Sequence, residues 1–192
     1  MIRSVAATLM LCLLAAPALA GGWTVAAEKS ALNVFSLKND EIAEQHAFTQ
    51  LSGTVAEDGA AAIDVSLASI DSGIEIRDQR MRDMLFQVAD WPLARITART
   101  EPAAFEALSP GQARQVELNL TVDANGESAD YPAQLVVPRL REASVAVSPQ
   151  EPLLVRAGDF GYGDGIDALR EVAGLDAISP TVPVVFVLVL ER

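Results

Sequence analysis

The sequence predicts an all-β fold, an antiparallel barrel or sandwich in a single domain, and three observations carry that prediction. Apolar and polar residues alternate with period two: Ile63, Val65 and Leu67 share one side of an extended segment and Asp64, Ser66 and Ala68 the other. Val116, Leu118, Leu120 and Val122 likewise oppose Glu117, Asn119 and Thr121, the pattern of a half-buried antiparallel strand. Turn-forming clusters at Glu57-Asp58-Gly59, Ser109-Pro110-Gly111, Ala124-Asn125-Gly126 and Ser148-Pro149 divide the chain into segments of that kind. No internal repeat, low-complexity linker or charge block marks a second domain.

Taken in order, strands are expected over 23–27, 30–37, 46–56, 60–70, 93–101, 113–122, 127–137, 140–147 and 181–191. The final segment is apolar on both sides. Val182, Val184, Phe186, Leu188 and Leu190 make one face and Val185, Val187 and Val189 the other, so one face should meet the interior and the other a covering element.

Two segments break the alternation. Asp164 is suited to cap a helix in which Ile166, Leu169, Val172 and Ala173 fall at helical spacing and Gly174 supplies the stop. The preceding glycine-rich stretch 158–165 lacks the spacing and the lysine of a phosphate loop, and reads as a flexible loop or lid. In the other segment, residues 72–86, Arg77, Met81, Met84 and Leu85 share one helical stripe, while Gln79, Arg82 and Asp83 point away and Arg80 sits on the margin. Arg82 is expected in solvent. Arg77 lies on the buried stripe and needs a partner, because a buried guanidinium without an acid, carbonyl or anionic ligand is costly. Asp78 and Asp71 are the nearest candidates, either as a structural ion pair with Arg77 or as part of a headgroup site.

Residues 1–20 have the form of a secretory signal peptide. Arg3 gives a positive start, Val5 to Ala16 is a short apolar run, and Ala18-Leu19-Ala20 fits signal peptidase. The mature domain is therefore expected over 21–192. Cys12, the sole cysteine, lies within the leader, preceded by the bulky Leu11, so neither a lipid anchor nor a disulfide is expected. The formal charge of −12 opposes nucleic acid and anionic lipid surfaces, where a phosphate term would be repulsive.

Catalytic chemistry has little to work with. His46 is the only histidine, which excludes a multi-histidine metal site and leaves a triad one base. Its neighbours Glu44, Gln45, Ala47 and Phe48 alternate as in an ordinary strand. No Gly-x-Ser-x-Gly turn and no recognisable glycosidase carboxylate pair occurs. No catalytic residue, metal or cofactor is assigned.

The stretch "SIDSGIEIRDQRMRDMLFQVADWPLARITA", residues 69–98, resembles the signature of the YceI-like family of bacterial secreted polyisoprenoid-binding proteins. An Arg-Asp pair opens a short helix, Leu-Phe closes it, and an aromatic-Pro step enters the next strand. The resemblance extends to Trp23, to residues 29–39 and 116–127 with a hairpin glycine, and to the closing strand. Two motifs depart from the family pattern. Ala27-Glu28-Lys29-Ser30 stands for the usual Asp-Ala-His-Ser, and His46-Ala47-Phe48 for a Gly-Phe pair, which marks a divergent branch.

The resemblance implies a lipocalin-like antiparallel β-barrel of about eight strands with two short helical inserts. It also implies a periplasmic location and an elongated apolar cavity for an isoprenoid, prenyl phosphate or quinone-like, or for a fatty-chain lipid. Strand phase then nominates Ile63, Val65, Leu67, Val116, Leu118 and Leu120 as lining residues, with Met81 and Phe86 from the helical segment. Three readings stay open beside the lipid carrier: a small outer-membrane-type barrel, a packed interaction module, and a hydrolase. An aromatic content of 5% and the helical inserts argue against the membrane barrel, which needs two aromatic girdles. Integral membrane insertion is not expected, and a homodimer is left open.

Overall fold

The computed structural model describes residues 22–192; the expected leader and its cleavage site lie outside them. The strands are β1 (Trp23–Val25), β2 (Ala31–Lys38), β3 (Ile42–Phe48), β4 (Leu51–Val55), β5 (Ala60–Ser66), β6 (Ile70–Asp71), β7 (Leu93–Arg99), β8 (Ala113–Ala124), β9 (Glu127–Arg141), β10 (Ser144–Pro149), β11 (Leu153–Arg156) and β12 (Thr181–Glu191). Three helices interrupt them: α1 (Glu75–Arg80), continued by a π-helical turn over Met81–Leu85, α2 (Pro102–Glu106) and α3 (Gly163–Ala173).

Every pairing is antiparallel, and the sheet closes into an eight-stranded barrel. The closure is simplest to see as broken staves. β1 and β2 lie end to end along one side of β12, and β10 and β11 along its other side. β3 and β4 form one stave, and β5 and β6 the next, since β3 pairs with β6 and β4 with β5. With β7, β8 and β9 the staves follow sequence order, an up-and-down meander sealed where the last strand meets the first. Such closure leaves only part-stave edges unpaired, as along β3, which meets β6 only at Ala47 and Phe48.

The breaks explain most differences from the periodicity. Residues 46–56 split at Thr49 and Gln50, where the chain bends between staves, and residues 67–69 form a 3₁₀ turn. The expected gap after 137 is absent. β9 runs through Pro138 to Arg141, because Pro138 lies opposite Ala113 at the very start of β8, where few ladder bonds remain to be lost. β11 and α2 had no sequence signal strong enough to register. The hairpin at Asn125-Gly126 has both residues at positive φ, 54° and 79°, which that dipeptide adopts readily.

One barrel end is plugged. Trp23 is 1% exposed and meets Phe105 of α2 edge to face at 6.0 Å. The guanidinium of Arg139 lies 5.1 Å from the Trp23 ring and that of Arg192 4.4 Å, so two cations seal the base over an aromatic face. The other end is covered by α1, its π turn and α3. Gly165 lets α3 approach closely: a Cβ there would stand 2.8 Å from the Met84 carbonyl oxygen and 2.9 Å from Leu85 Cα.

An aromatic relay fastens this cover to the wall. Phe48 packs on Phe86 at 5.8 Å, Phe86 on Tyr162 at 5.7 Å, Tyr162 on Phe160 at 6.2 Å and Phe160 on Tyr131 at 6.3 Å. The stretch 158–165 is accordingly not a loose loop. It forms a 3₁₀ turn, Ala157–Phe160, then enters α3 at Gly163. Tyr131 donates to Asp159 at 2.7 Å, and Arg156 Nε binds the same carboxylate oxygen at 3.0 Å. Asp164 sits in the first turn of α3 instead of capping it, while Gly174 ends the helix in the left-handed conformation as expected.

The barrel is apolar inward and polar outward. On β8, Val116, Leu118 and Leu120 face the interior and Gln115, Glu117 and Asn119 are exposed; a membrane-spanning barrel shows the reverse. Among the described residues no helix is long and apolar enough to cross a membrane. The outer face of β12 is covered in part. Val189 is buried beside the 3₁₀ turn Ala27–Lys29, whose flanks bind its backbone, and Val187 stays 44% exposed.

Candidate functional site: an apolar barrel cavity with a basic end

Because the staves alternate and the two ends are covered by helices, the inward side chains enclose a space instead of filling it. The cavity measures about 420 Å³, within the range of small-molecule sites. All eight nominated lining residues border it: Ile63, Val65 and Leu67 on the β5 stave; Val116, Leu118 and Leu120 on β8; and Met81 and Phe86 from the cover. Sequence phase missed much of the remaining wall. Val34 and Phe48 come from the first two staves, Leu135 and Val147 from β9 and β10, and Ile166 and Leu169 from α3. The helical spacing of α3 was visible; that its apolar stripe caps the cavity was not.

The end beneath α1 is polar. Arg77 borders the cavity there, but its partner is neither Asp78 nor Asp71. Its Nη1 donates to Glu44 Oε2 on β3 at 2.6 Å, its Nε to Ser72 Oγ at 2.7 Å and its Nη2 to the Ser72 carbonyl at 2.6 Å. Consecutive helical residues point about 100° apart and cannot face each other. Asp78, 5% exposed, accepts instead from the backbone N–H of Ser72 at 2.9 Å and from its hydroxyl. Ser72 therefore stands between the two residues. Asp71 accepts from Gly73 N–H.

Arg82 also departs from expectation. Its side chain is 19% exposed, no more than that of Arg77 at 21%, and it pairs with Glu75 at 2.6 Å while reaching the Ala68 carbonyl. Arg82 keeps the outward face it shares with Glu75, seven residues earlier, and is covered because its guanidinium folds onto Glu75 and the Ala68 carbonyl.

Lys38 joins the cluster by pairing with Glu44, so one carboxylate serves two cations. Burial alone would raise the Glu44 carboxyl, but hydrogen bonds and charge from Lys38 and Arg77 outweigh it and hold the group below its ordinary value. His46, 5% exposed, lies two residues along the same inward face of β3. Burial first, and the Arg77 charge second, push its imidazole below the usual value, so it is neutral at pH 7. His46 Nε2 and Ser36 Oγ are 2.9 Å apart. Nδ1 has no partner among the described residues, so no acid orients the ring as a triad requires. Among the described residues no cluster of three or more His, Cys, Asp or Glu could hold a metal ion.

A meander barrel with an apolar interior, a plugged base and a helical cover defines a lipocalin-like fold built around an internal cavity. The model of the YceI-like domain matches residues 23–190, and the chain belongs to that family. Among solved structures, a polyisoprenoid binding domain from Saccharophagus degradans, implicated in plant cell wall breakdown, is 38% identical. Its TM-score is 0.87, over 88% of this chain and 98% of that one. Burkholderia cenocepacia BcnA shares the fold at 18% identity and a TM-score of 0.64, over 86% of this chain and 98% of that one. Among curated proteins none matches the chain.

Proposed function

We propose that this protein is a periplasmic binding protein, not an enzyme, that holds a polyisoprenoid or other long-chain lipid in its barrel for storage or transport. The observation that carries the reading is the cavity itself, walled by apolar side chains from every stave. Removing each CH₂ of a chain from water contributes ~0.8 kcal/mol, so a partly buried prenyl or acyl chain offsets the costs of ordering it. The 38% identical polyisoprenoid binding domain supports the ligand class. The polar exterior and the leader-like residues 1–20 support a secreted, water-exposed protein. Ile63, Val65, Leu67, Val116, Leu118, Leu120, Met81 and Phe86 are the residues proposed to touch the chain. Organic extraction of protein purified without detergent tests the reading: a prenyl or acyl lipid in near-stoichiometric amount supports it.

A further inference from the structure

The barrel wall is open along part of one seam. β7 and β8 pair only from Arg95↔Asp123 to Thr97↔Thr121. The same register carried on would set Arg99 opposite Asn119. Among the described residues, however, no hydrogen bond or ion pair joins 98–101 to 113–120, and Arg99 turns to Asp58 instead. Both strands are otherwise intact: β7 stays on β5 as far as Arg99↔Ala60, and β8 stays on β9 as far as Ala113↔Pro138.

The plug at the base draws the two strands apart. Thr100 N–H donates to the Gly59 carbonyl on the β5 side, and Pro102 then opens α2, which carries Phe105 inward to Trp23. On the return, Gly111 and Gln112 bond to the backbone of Arg139 on the β9 side. Backbone groups along the seam are left to water.

The opening runs through the wall. A cleft of about 380 Å³ lies between the strands. Its outer rim carries Arg99, Glu101, Arg114 and Glu117, all exposed. Its inner rim is Thr100, Val116 and Leu118, which also border the barrel cavity. Successive residues of a strand point to opposite faces, so a cleft bordered by Glu117 as well as by Val116 and Leu118 joins the solvent face to the cavity face.

The two ends are better fastened. Phe48, Phe86 and Tyr162 pack the cover onto the wall, and Arg77 ties it to Glu44. At the base, Trp23 is held between Phe105 and two guanidinium groups. Widening the seam breaks no more than the short ladder over Arg95–Thr97, and segments with the fewest bonds open first.

We propose that the β7–β8 cleft is the portal through which an apolar chain enters and leaves the barrel, sliding sideways over Thr100, Val116 and Leu118 while the helical cover stays shut. The proposal rests on the lipid-cavity reading and adds the route to it.

Stopped-flow fluorescence with cis-parinaric acid, a polyene fatty acid, tests it on the full secreted protein. A portal sets the rates of exchange and not the equilibrium. Thr100→Trp should therefore slow binding and release together by about tenfold, the effect of one overpacked contact on the barrier. The Kd should stay within about twofold. Ala104→Trp narrows the cleft from α2 without bordering the cavity and should act in the same way, which keeps the test decisive if the first variant does not fold. Unchanged rates in the tryptophan variants overturn the portal and leave the lipid cavity standing; faster exchange in Gly165→Ala would then place the route at the cover. Weaker binding with unchanged association also overturns it, because the substituted residues would then touch the chain at rest. If native protein binds neither parinaric acid nor the polyprenol solanesol, the carrier reading fails and the portal with it.

Discussion

Arg77 on α1 and Glu44 on β3 are 33 residues apart in sequence and 2.6 Å apart in the barrel. That contact ties the helical cover to the wall, and Lys38 shares it. The asymmetry of the cluster sets an order of effects. Arg77→Ala leaves Lys38 and Glu44 paired, whereas Glu44→Ala strips two cations of their acid at once. Both side chains are partly exposed, which moderates the cost. Glu44→Ala is expected to lose about 1–2 kcal/mol and Arg77→Ala less, as read from urea denaturation midpoints. Equal losses would show that Lys38 does not depend on Glu44.

The partner of Arg77 could not have been read from the sequence. Charge and helical phase marked Arg77 as covered, but proximity along the chain pointed to Asp78 and Asp71, and the acid that meets it comes from another stave. Strand alternation, by contrast, was a local signal, and Ile63, Val65, Leu67, Val116, Leu118 and Leu120 all face the interior it implied. Bends within staves at 49–50 and 67–69 carried no glycine or proline to announce them. Arg82 lies on the outward face the spacing gave it, but its contacts with Glu75 and the Ala68 carbonyl, which cover it, come from folding and left no local signal.

His46 should make stability depend on pH below its ordinary value of 6.5. Unfolded, its imidazole titrates near 6.5; folded, burial and Arg77 lower that value. Between the two values the unfolded state binds more protons, so this contribution is complete above pH 6.5 and declines as the pH falls. As the chain has one histidine, melting temperatures of the native protein should fall as the pH drops below 6.5, and His46→Gln should flatten that slope. An unchanged slope in the variant would place the titration elsewhere.

Gly165 permits the contact between α3 and the π turn, and its replacement should open the cover before it disturbs the barrel. Gly165→Ala places a methyl group against the Met84 carbonyl and Leu85 Cα. The expected cost is about 1–3 kcal/mol, as for other overpacked contacts. Hydrogen exchange should increase over 75–86 and 163–173 and stay unchanged in β8 and β9. Uniform loss of protection would show that cover and barrel form one cooperative unit.

The signal-peptide-like form of residues 1–20 predicts cleavage after Ala20 and a product beginning at Gly21, two residues before Trp23 of β1. Intact-mass measurement should return that start. A product retaining Arg3 would contradict the processing and the location inferred from it.

The account turns on whether the cavity holds a lipid. Protein purified without detergent should be extracted with organic solvent and the extract quantified by mass spectrometry, beside a Leu118→Trp variant that fills the space from β8. The account predicts a prenyl or acyl lipid near one per protein in the native sample. In a variant whose circular dichroism is unchanged, it predicts a several-fold reduction. Lipid-free native preparations that neither bind added isoprenoids nor gain melting temperature from them would contradict it.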